Sequence, residues 1–293
     1  MTLRVGFAGL GAIGRPMAVH IAERFETTVW NRTIERARAF AASTGAAVAD
    51  TPTALVDAAN VVVTCLPTSV EVLEVTRAAA PAWTTGQLHV DCTSGDPAGS
   101  REIHAWLADR GVDFVDAPVS GGTSGAEAGT LTVMLGGDAT AVERAREVVD
   151  AFAAKVVHVG PVGTGHAVKA LNNALLAINI QAAGEALAAL VKLGVAGERA
   201  VEVINASSGR SNVTENLIPE RVLTRAWPRT FRLALLDKDV GIALKVLQDS
   251  GVPHEAIGVA KRAFAQARSA LGEAADHVEL IKVIEAAADV EIH

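Results

Sequence analysis

Lys169 and Asn173 lie four residues apart in a stretch patterned as a helix, so their side chains share one face, with Asn172 beside them. An ammonium beside a carbonyl oxygen can stabilise the alkoxide that hydride transfer leaves, and can give it a proton. Desolvation favours the neutral amine, which the reverse reaction needs as its base. Asn173 has the right groups to orient the substrate oxygen. Spacing alone leaves the plainer reading open, a solvated helix lysine. Tyr is absent from the chain, so a Tyr-dependent proton relay is excluded.

Upstream, Asp116-Ala117-Pro118-Val119-Ser120-Gly121-Gly122-Thr123-Ser124-Gly125 runs from a strand into proline, a serine and three glycines. Consecutive small residues leave backbone amides free, and Ser120 adds a hydroxyl. Such a nest suits a carboxylate, and a plain flexible loop is the competing reading. Gly9-Leu10-Gly11-Ala12-Ile13-Gly14 has the form G-x-G-x-x-G between a predicted strand and a predicted helix. Its glycines allow a tight turn, close approach of a pyrophosphate and close helix packing, and the helix start holds the anion.

The second strand ends at Trp30-Asn31-Arg32-Thr33. A dinucleotide site selective for NAD places an acidic residue here on the ribose hydroxyls. A neutral Asn31 followed by cationic Arg32 suits a 2′-phosphate instead, so the reading is NADP, with NAD as the lesser option. Two later strand ends, Cys65-Leu66-Pro67-Thr68 and Asp91-Cys92-Thr93-Ser94, border the same crevice in a doubly wound sheet. Leu66-Pro67 offers an apolar face to a cofactor ring, and Thr93 or Ser94 offers a hydroxyl.

The elements that must position these residues fall into two halves. Over 1–162, apolar runs at Val5–Ala8, Thr28–Trp30, Val61–Cys65, Leu88–Asp91, Phe114–Val115, Leu131–Leu135 and Val156–Val159 alternate with helical patterns. This predicts a Rossmann-like α/β domain with a largely parallel sheet. Gly160-Pro161-Val162-Gly163-Thr164-Gly165 breaks the chain. Over 163–293 no strand is expected. A helix from near Gly165 to about Leu193 opens an all-α domain, with further helices over Glu198–Asn205, Asp239–Asp249 and Pro253–Ala270.

Composition narrows the class. The chain has 293 residues, half of them hydrophobic, and a formal net charge of −7, which disfavours nucleic acid. The stretch Ala174 to Val191 is apolar but interrupted by Asn179, Gln181 and Glu185, and reads as a buried helix rather than a membrane span. Cys65 and Cys92 make neither a disulfide framework nor a metal spacing, and read as buried thiols of a cytoplasmic protein. No targeting segment is visible, and no metal is expected. The apolar helical half predicts a homodimer or homotetramer.

Taken together, the motifs resemble the β-hydroxyacid dehydrogenase family, and the 3-hydroxyisobutyrate dehydrogenases in particular. The resemblance rests on Gly6 to Ala18, Asp116 to Gly125, Ala128 to Met134, Gly163 through Lys169 to Asn173, and Lys238-Asp239. It implies hydride exchange between a nicotinamide cofactor and a small hydroxy acid, with Lys169 catalytic. It implies that Ser120, Gly121, Gly122 and Asn173 bind the substrate carboxylate and oxygen. Phe231 and Asp239 would border the nicotinamide end, and Leu66, Pro67, Ser94 and Lys238 would touch cofactor. The related 6-phosphogluconate dehydrogenases carry a histidine between the lysine and the asparagine, where this chain has Ala170-Leu171-Asn172. Substrates of the same chemistry are glyoxylate, succinic semialdehyde and tartronate semialdehyde. A reading of another class is a cofactor-binding module without turnover.

Overall fold

A computed structural model describes residues 3–293. The chain divides into two compact units, Met1–Lys169 and Ala170–His293. In the first, strands and helices alternate as β1 (Arg4–Ala8), α1 (Gly14–Ala22), β2 (Glu26–Trp30), α2 (Ile34–Thr44), β3 (Ala47–Val48), α3 (Pro52–Asp57), β4 (Val61–Thr64), α4 (Ser69–Ala78), β5 (Leu88–Asp91) and α5 (Pro97–Ala108). They continue as β6 (Asp113–Asp116), β7 (Val119–Ser120), α6 (Gly122–Ala128), β8 (Leu131–Gly136), α7 (Ala139–Val149) and β9 (Ala153–Gly160).

The strands form one sheet in the order β3-β2-β1-β4-β5-β6-β8-β7, with β9 also paired to β8. The pairs from β3 to β6 are parallel, and β8 runs antiparallel to β6 and β7. Strand order reverses between β1 and β4, which makes the carboxyl ends of these two strands the switch-point crevice. Alternation along each strand covers both faces. Val61, Val63 and Val115 join one core with Met17, Ile21 and Phe40, while Val62 and Phe114 join another with Leu55, Ile103 and Leu107. Helix starts are marked locally. Thr51, Thr68 and Asp96 each accept a backbone amide of the turn they open, with Pro52 and Pro97 at first helical positions.

The second unit is helical. Helix α8 (Thr164–Lys192) runs out of the first unit and is followed by α9 (Gly197–Asn205), a wide-turn π segment (Val213–Leu223), α10 (Leu233–Asp249), α11 (Glu255–Leu271) and α12 (Leu280–Ala288). Its core gathers Ile180 and Leu187 of α8 with Ile218, Leu236, Phe264 and Ile281. The π segment contains Pro219, whose ring and missing N–H do not fit regular α hydrogen bonding.

Several expectations need correction. The compact units part between Lys169 and Ala170, inside α8, a few residues beyond the 162/163 boundary that the glycine-rich turn suggests. The first turn of α8 belongs with the sheet because Asp116 Oδ1 accepts the Gly163 amide at 2.6 Å and Oδ2 accepts the His166 amide at 2.8 Å. Val119–Ser120 is a short strand and Gly122–Ala128 a helix, so the competing reading of this stretch as a plain flexible loop falls away. Helix α10 starts six residues before Asp239. Cys92 is buried, and Cys65 is partly exposed as a residue although its thiol is enclosed by protein. The most apolar 18-residue window of α8 is 39% buried within the chain, so α8 is not a fully buried helix.

Candidate active site

The glycine loop joins β1 to α1. A Cβ at Gly9 would stand 2.2 Å from the Cys65 carbonyl oxygen, and one at Gly14 would stand 2.0 Å from the Gly9 carbonyl oxygen. Gly9 also has a φ of +105°, which side chains rarely adopt. Gly11 differs: a Cβ there would meet nothing within 4 Å, and Gly11 and Ala12 are exposed. Gly9 and Gly14 are therefore glycines for packing, and Gly11 is glycine beside open space. A pyrophosphate approaching the start of α1 fits this arrangement.

Neighbouring strand ends close around the loop. The Gly9 amide donates to Trp30 O at 3.1 Å and the Leu10 amide to Asn31 Oδ1 at 3.0 Å, while Asn31 Nδ2 donates to Thr33 O at 2.9 Å. Asn31 thus ties the end of β2 to the glycine loop, and Arg32 and Thr33 project as exposed residues beside it. The Leu66 amide donates to Thr93 Oγ1 at 3.0 Å, which binds the loop after β4 to the loop after β5 and leaves Pro67 exposed. Ser94, next to Thr93, is partly exposed. The structure brings Gly9–Gly14, Asn31–Thr33, Cys65–Pro67 and Ser94 to the carboxyl ends of adjacent strands.

Glu71 lies on α4 near Arg32. Burial raises its carboxyl, but the Thr68 hydroxyl, the amides of Glu71 and Thr68 and the Arg32 charge outweigh burial and lower it. Burial, reinforced by Asp91, pushes the Cys65 thiol up to about 12, so this crevice thiol stays protonated and is no nucleophile.

Ser120 ends β7, its backbone registered opposite Thr132 of β8. Gly121 and Gly122 follow with φ of +137° and +66°, and both are exposed at the start of α6. The far end of α6 is tied to α1 by His20, whose Nε2 lies 3.1 Å from the carbonyls of both Ala126 and Glu127. Lys169 sits in the second turn of α8 and is partly exposed.

In the helical unit, Asn173 is buried and its Nδ2 donates to Asp239 Oδ2 at 2.6 Å. Asp239 is itself buried, 3.1 Å through Oδ1 from Lys238 Nζ. Asp239 therefore fixes the Asn173 amide. Phe231 is held through its backbone, its amide donating to Asp276 Oδ2 at 3.0 Å. Burial would raise the Asp276 carboxyl, but His277 and the amides of Phe231 and Thr230 outweigh it and hold the group far below the usual carboxylate range. Among the described residues no cluster of His, Cys, Asp and Glu has the arrangement of a metal site.

Sequence reasoning missed the polar residues beneath these loops. His89 is buried against Trp83 and Phe114, and burial pushes its imidazole down to about 4 despite the nearby Asp91. It is therefore neutral, and its Nε2 lies 3.1 Å from Thr64 Oγ1, which donates to Asp91 Oδ1 at 2.8 Å. The same oxygen accepts the Thr93 amide at 3.1 Å, so Asp91 holds the start of the loop after β5. A polar residue inside an apolar strand run, as in Leu88-His89-Val90-Asp91, was the available signal.

Comparison with known proteins identifies the family. Residues 4–160 match the family described as the NAD binding domain of 6-phosphogluconate dehydrogenase. Residues 163–284 match the family described as NAD-binding of NADP-dependent 3-hydroxyisobutyrate dehydrogenase. The chain is 33% identical to 2-(hydroxymethyl)glutarate dehydrogenase of Eubacterium barkeri, over 99% of this chain and 98% of that protein. It is 34% identical to NAD-dependent L-serine dehydrogenase of Pseudomonas aeruginosa, over 84% of this chain and 86% of that protein. Among solved structures, 3-hydroxyisobutyrate dehydrogenase of Mycobacterium tuberculosis with L-serine superposes with a TM-score of 0.91 at 30% identity, covering 97% of this chain and 99% of that one. With its nucleotide-binding fold, its helical second unit and its dehydrogenase relatives, this chain belongs to the β-hydroxyacid dehydrogenase family.

Proposed function

We propose that this enzyme is an NADP-preferring dehydrogenase that interconverts a small hydroxy acid of the 3-hydroxyisobutyrate kind and its semialdehyde or keto acid, with Lys169 as the proton-transfer group. The observation that carries the reading is Lys169 and Asn173 on successive turns of α8, in a chain whose glycine loop is intact at every position. The nicotinamide cofactor, when bound, supplies or accepts the hydride. The Gly9–Gly14 turn receives its pyrophosphate through the amides beyond Leu10, since those of Gly9 and Leu10 are held by Trp30 and Asn31; Arg32 and Thr33 take its adenosine end, and Cys65, Leu66, Pro67, Ser94 and Lys238 its remaining length. Ser120, Gly121 and Gly122 bind the substrate carboxylate through a hydroxyl and backbone amides. Asn173, fixed by Asp239, orients the substrate oxygen, and Phe231 covers the apolar side. In reduction Lys169 gives its proton to the new alkoxide, and in oxidation the neutral amine takes the hydroxyl proton.

The relatives include an NAD-dependent enzyme, so the preference for NADP rests on Asn31-Arg32 alone. Serine and 2-(hydroxymethyl)glutarate, named for two relatives, widen the substrate class to hydroxy acids carrying further polar groups. A panel of 3-hydroxyisobutyrate, serine, 2-(hydroxymethyl)glutarate, glyoxylate, succinic semialdehyde and tartronate semialdehyde, assayed with each cofactor, identifies the substrate. With the best of these, Lys169→Ala should lower kcat by at least about 10²-fold while cofactor affinity holds. Near-normal turnover of that variant would make Lys169 a solvated helix residue, and binding of cofactor without turnover on any acid would favour a non-catalytic module.

A further inference from the structure

Beneath the loops, strand β5 and the first turn of α8 share a buried cluster that the hydride chemistry does not use. Asp91 and His166 each have side-chain exposures of 0%. Asp91 Oδ1 is filled by Thr64 and the Thr93 amide, but Oδ2 accepts no hydrogen bond. It faces His166 Nε2 at 3.9 Å, and that nitrogen also makes no hydrogen bond. The other ring nitrogen, Nδ1, lies 2.6 Å from Ser100 Oγ on α5. Asp116 of β6 takes the His166 backbone amide, so two buried carboxylates and one hydroxyl surround this histidine.

Glycines leave the room for it. A Cβ at Gly95 would stand 2.7 Å from His166 Cε1, and one at Gly165 would stand 2.7 Å from Asp116 Oδ2. Gly95 lies in the segment that leads from Thr93-Ser94 into α5, so the imidazole packs under the cofactor loop. A buried carboxylate oxygen with no donor is costly, and in the tautomer whose Nδ1 accepts from Ser100 the His166 Nε2 carries the proton and faces Asp91 Oδ2 at 3.9 Å, just outside hydrogen-bond range.

We propose that His166 is a positioning residue for Lys169: the buried Asp91–His166–Ser100 tie fixes the rotation of the first turn of α8 against the end of β5, and so fixes the aim of Lys169 three residues on. The inference rests on the proposed role of Lys169 as proton-transfer group. Asp116 grips α8 through two backbone amides, which sets where the helix begins but constrains its rotation weakly. A side chain hydrogen-bonded to α5 and packed against the Asp91 carboxylate of β5 sets the rotation, and residues three apart on a helix lie on nearly the same face. Misplacing a reacting group by about 1 Å can cost about 10²-fold in rate.

The test is a mutant cycle in the full chain with its best substrate. His166→Phe removes both ring nitrogens and should lower kcat about 10- to 100-fold, with cofactor Kd and substrate KM changing less than about twofold. His166→Gln, whose amide can reach the place of Nε2, should recover kcat to within about fivefold of the parent. In a Lys169→Ala background, His166→Phe should cause no further loss, because the two act through one step. If His166→Phe does not fold, Ser100→Ala takes its place in the cycle, with an expected loss of about threefold or more. Parent-like kcat in His166→Phe or in its Ser100→Ala replacement, or an equal further loss in the Lys169→Ala background, would overturn the inference and leave the proposed function standing. Near-normal turnover of Lys169→Ala alone would overturn both.

Discussion

Asn31 and Arg32 are adjacent, yet they do different work. Asn31 accepts the Leu10 amide and donates to the Thr33 carbonyl, so its side chain shapes the glycine loop. An aspartate could accept the same amide but would bring a charge that repels a 2′-phosphate. Arg32 is exposed, with its charge near Glu71, and offers a guanidinium where the adenosine ribose would lie. Arg32→Ala should weaken NADPH binding by about 1–3 kcal/mol through loss of charge-assisted bonds, while NADH binding barely changes. Fluorescence titration with both cofactors measures this, and an equal loss for the two would show that Arg32 does not read the phosphate. At this scale the sequence announced residues whose chemistry is carried by local spacing, such as Lys169 with Asn173. It did not announce the structural roles of His166, Asp91 or Asp116, because their partners on other elements lie 27 to 75 positions away. Asp239 entered the sequence reading through resemblance, and the structure adds its hydrogen bond to the Asn173 amide, a partner 66 positions away.

Elements were legible where periodicity ran long. Strands β1, β4 and β5 were readable as buried apolar runs and α8 as a helix, because their patterns extend over enough residues to outweigh chance. The two-residue strands β3 and β7 exist through pairing with β2 and β8, a tertiary cause that leaves no period in the sequence. The π segment was missed because Pro219 argues against a regular helix, and α12 because a short, mostly apolar run does not declare its period. The glycine loop separates folding from binding within one element. Gly14→Ala should destabilise the fold, since its Cβ would overlap the Gly9 carbonyl oxygen. Gly11→Ala should leave thermal stability unchanged within about 1 kcal/mol, since its Cβ enters open space, yet raise cofactor Kd about tenfold or more by crowding the pyrophosphate. Thermal melts beside cofactor titrations distinguish the two, and a Gly11→Ala enzyme that binds cofactor normally would remove the pyrophosphate from this loop.

At the scale of the whole molecule, α8 carries more apolar surface than the described chain covers. Its 18-residue apolar window has a mean hydropathy of 1.7, high enough for a membrane span by length and composition, yet only 39% of that window is buried. Leu175 is 59% exposed on it, and Leu193 and Val195 just beyond it are exposed as well. Asn179, Gln181 and Glu185 interrupt the window, and inserting such groups into lipid is costly. A second copy of the chain, which can cover apolar residues and still satisfy those polar ones, is the better cover. We therefore propose a homo-oligomer, at least a dimer, that buries this part of α8. Light scattering or sedimentation at micromolar concentration should give a mass of at least twice 30.2 kDa. Leu175→Glu should lower that mass or weaken self-association, because a carboxylate placed in an apolar interface must be desolvated without a partner. Its effect on cofactor binding should be small, since the glycine loop belongs to the other unit. A monomer at micromolar concentration, or an unchanged mass after Leu175→Glu, would leave the exposed face of α8 without this explanation.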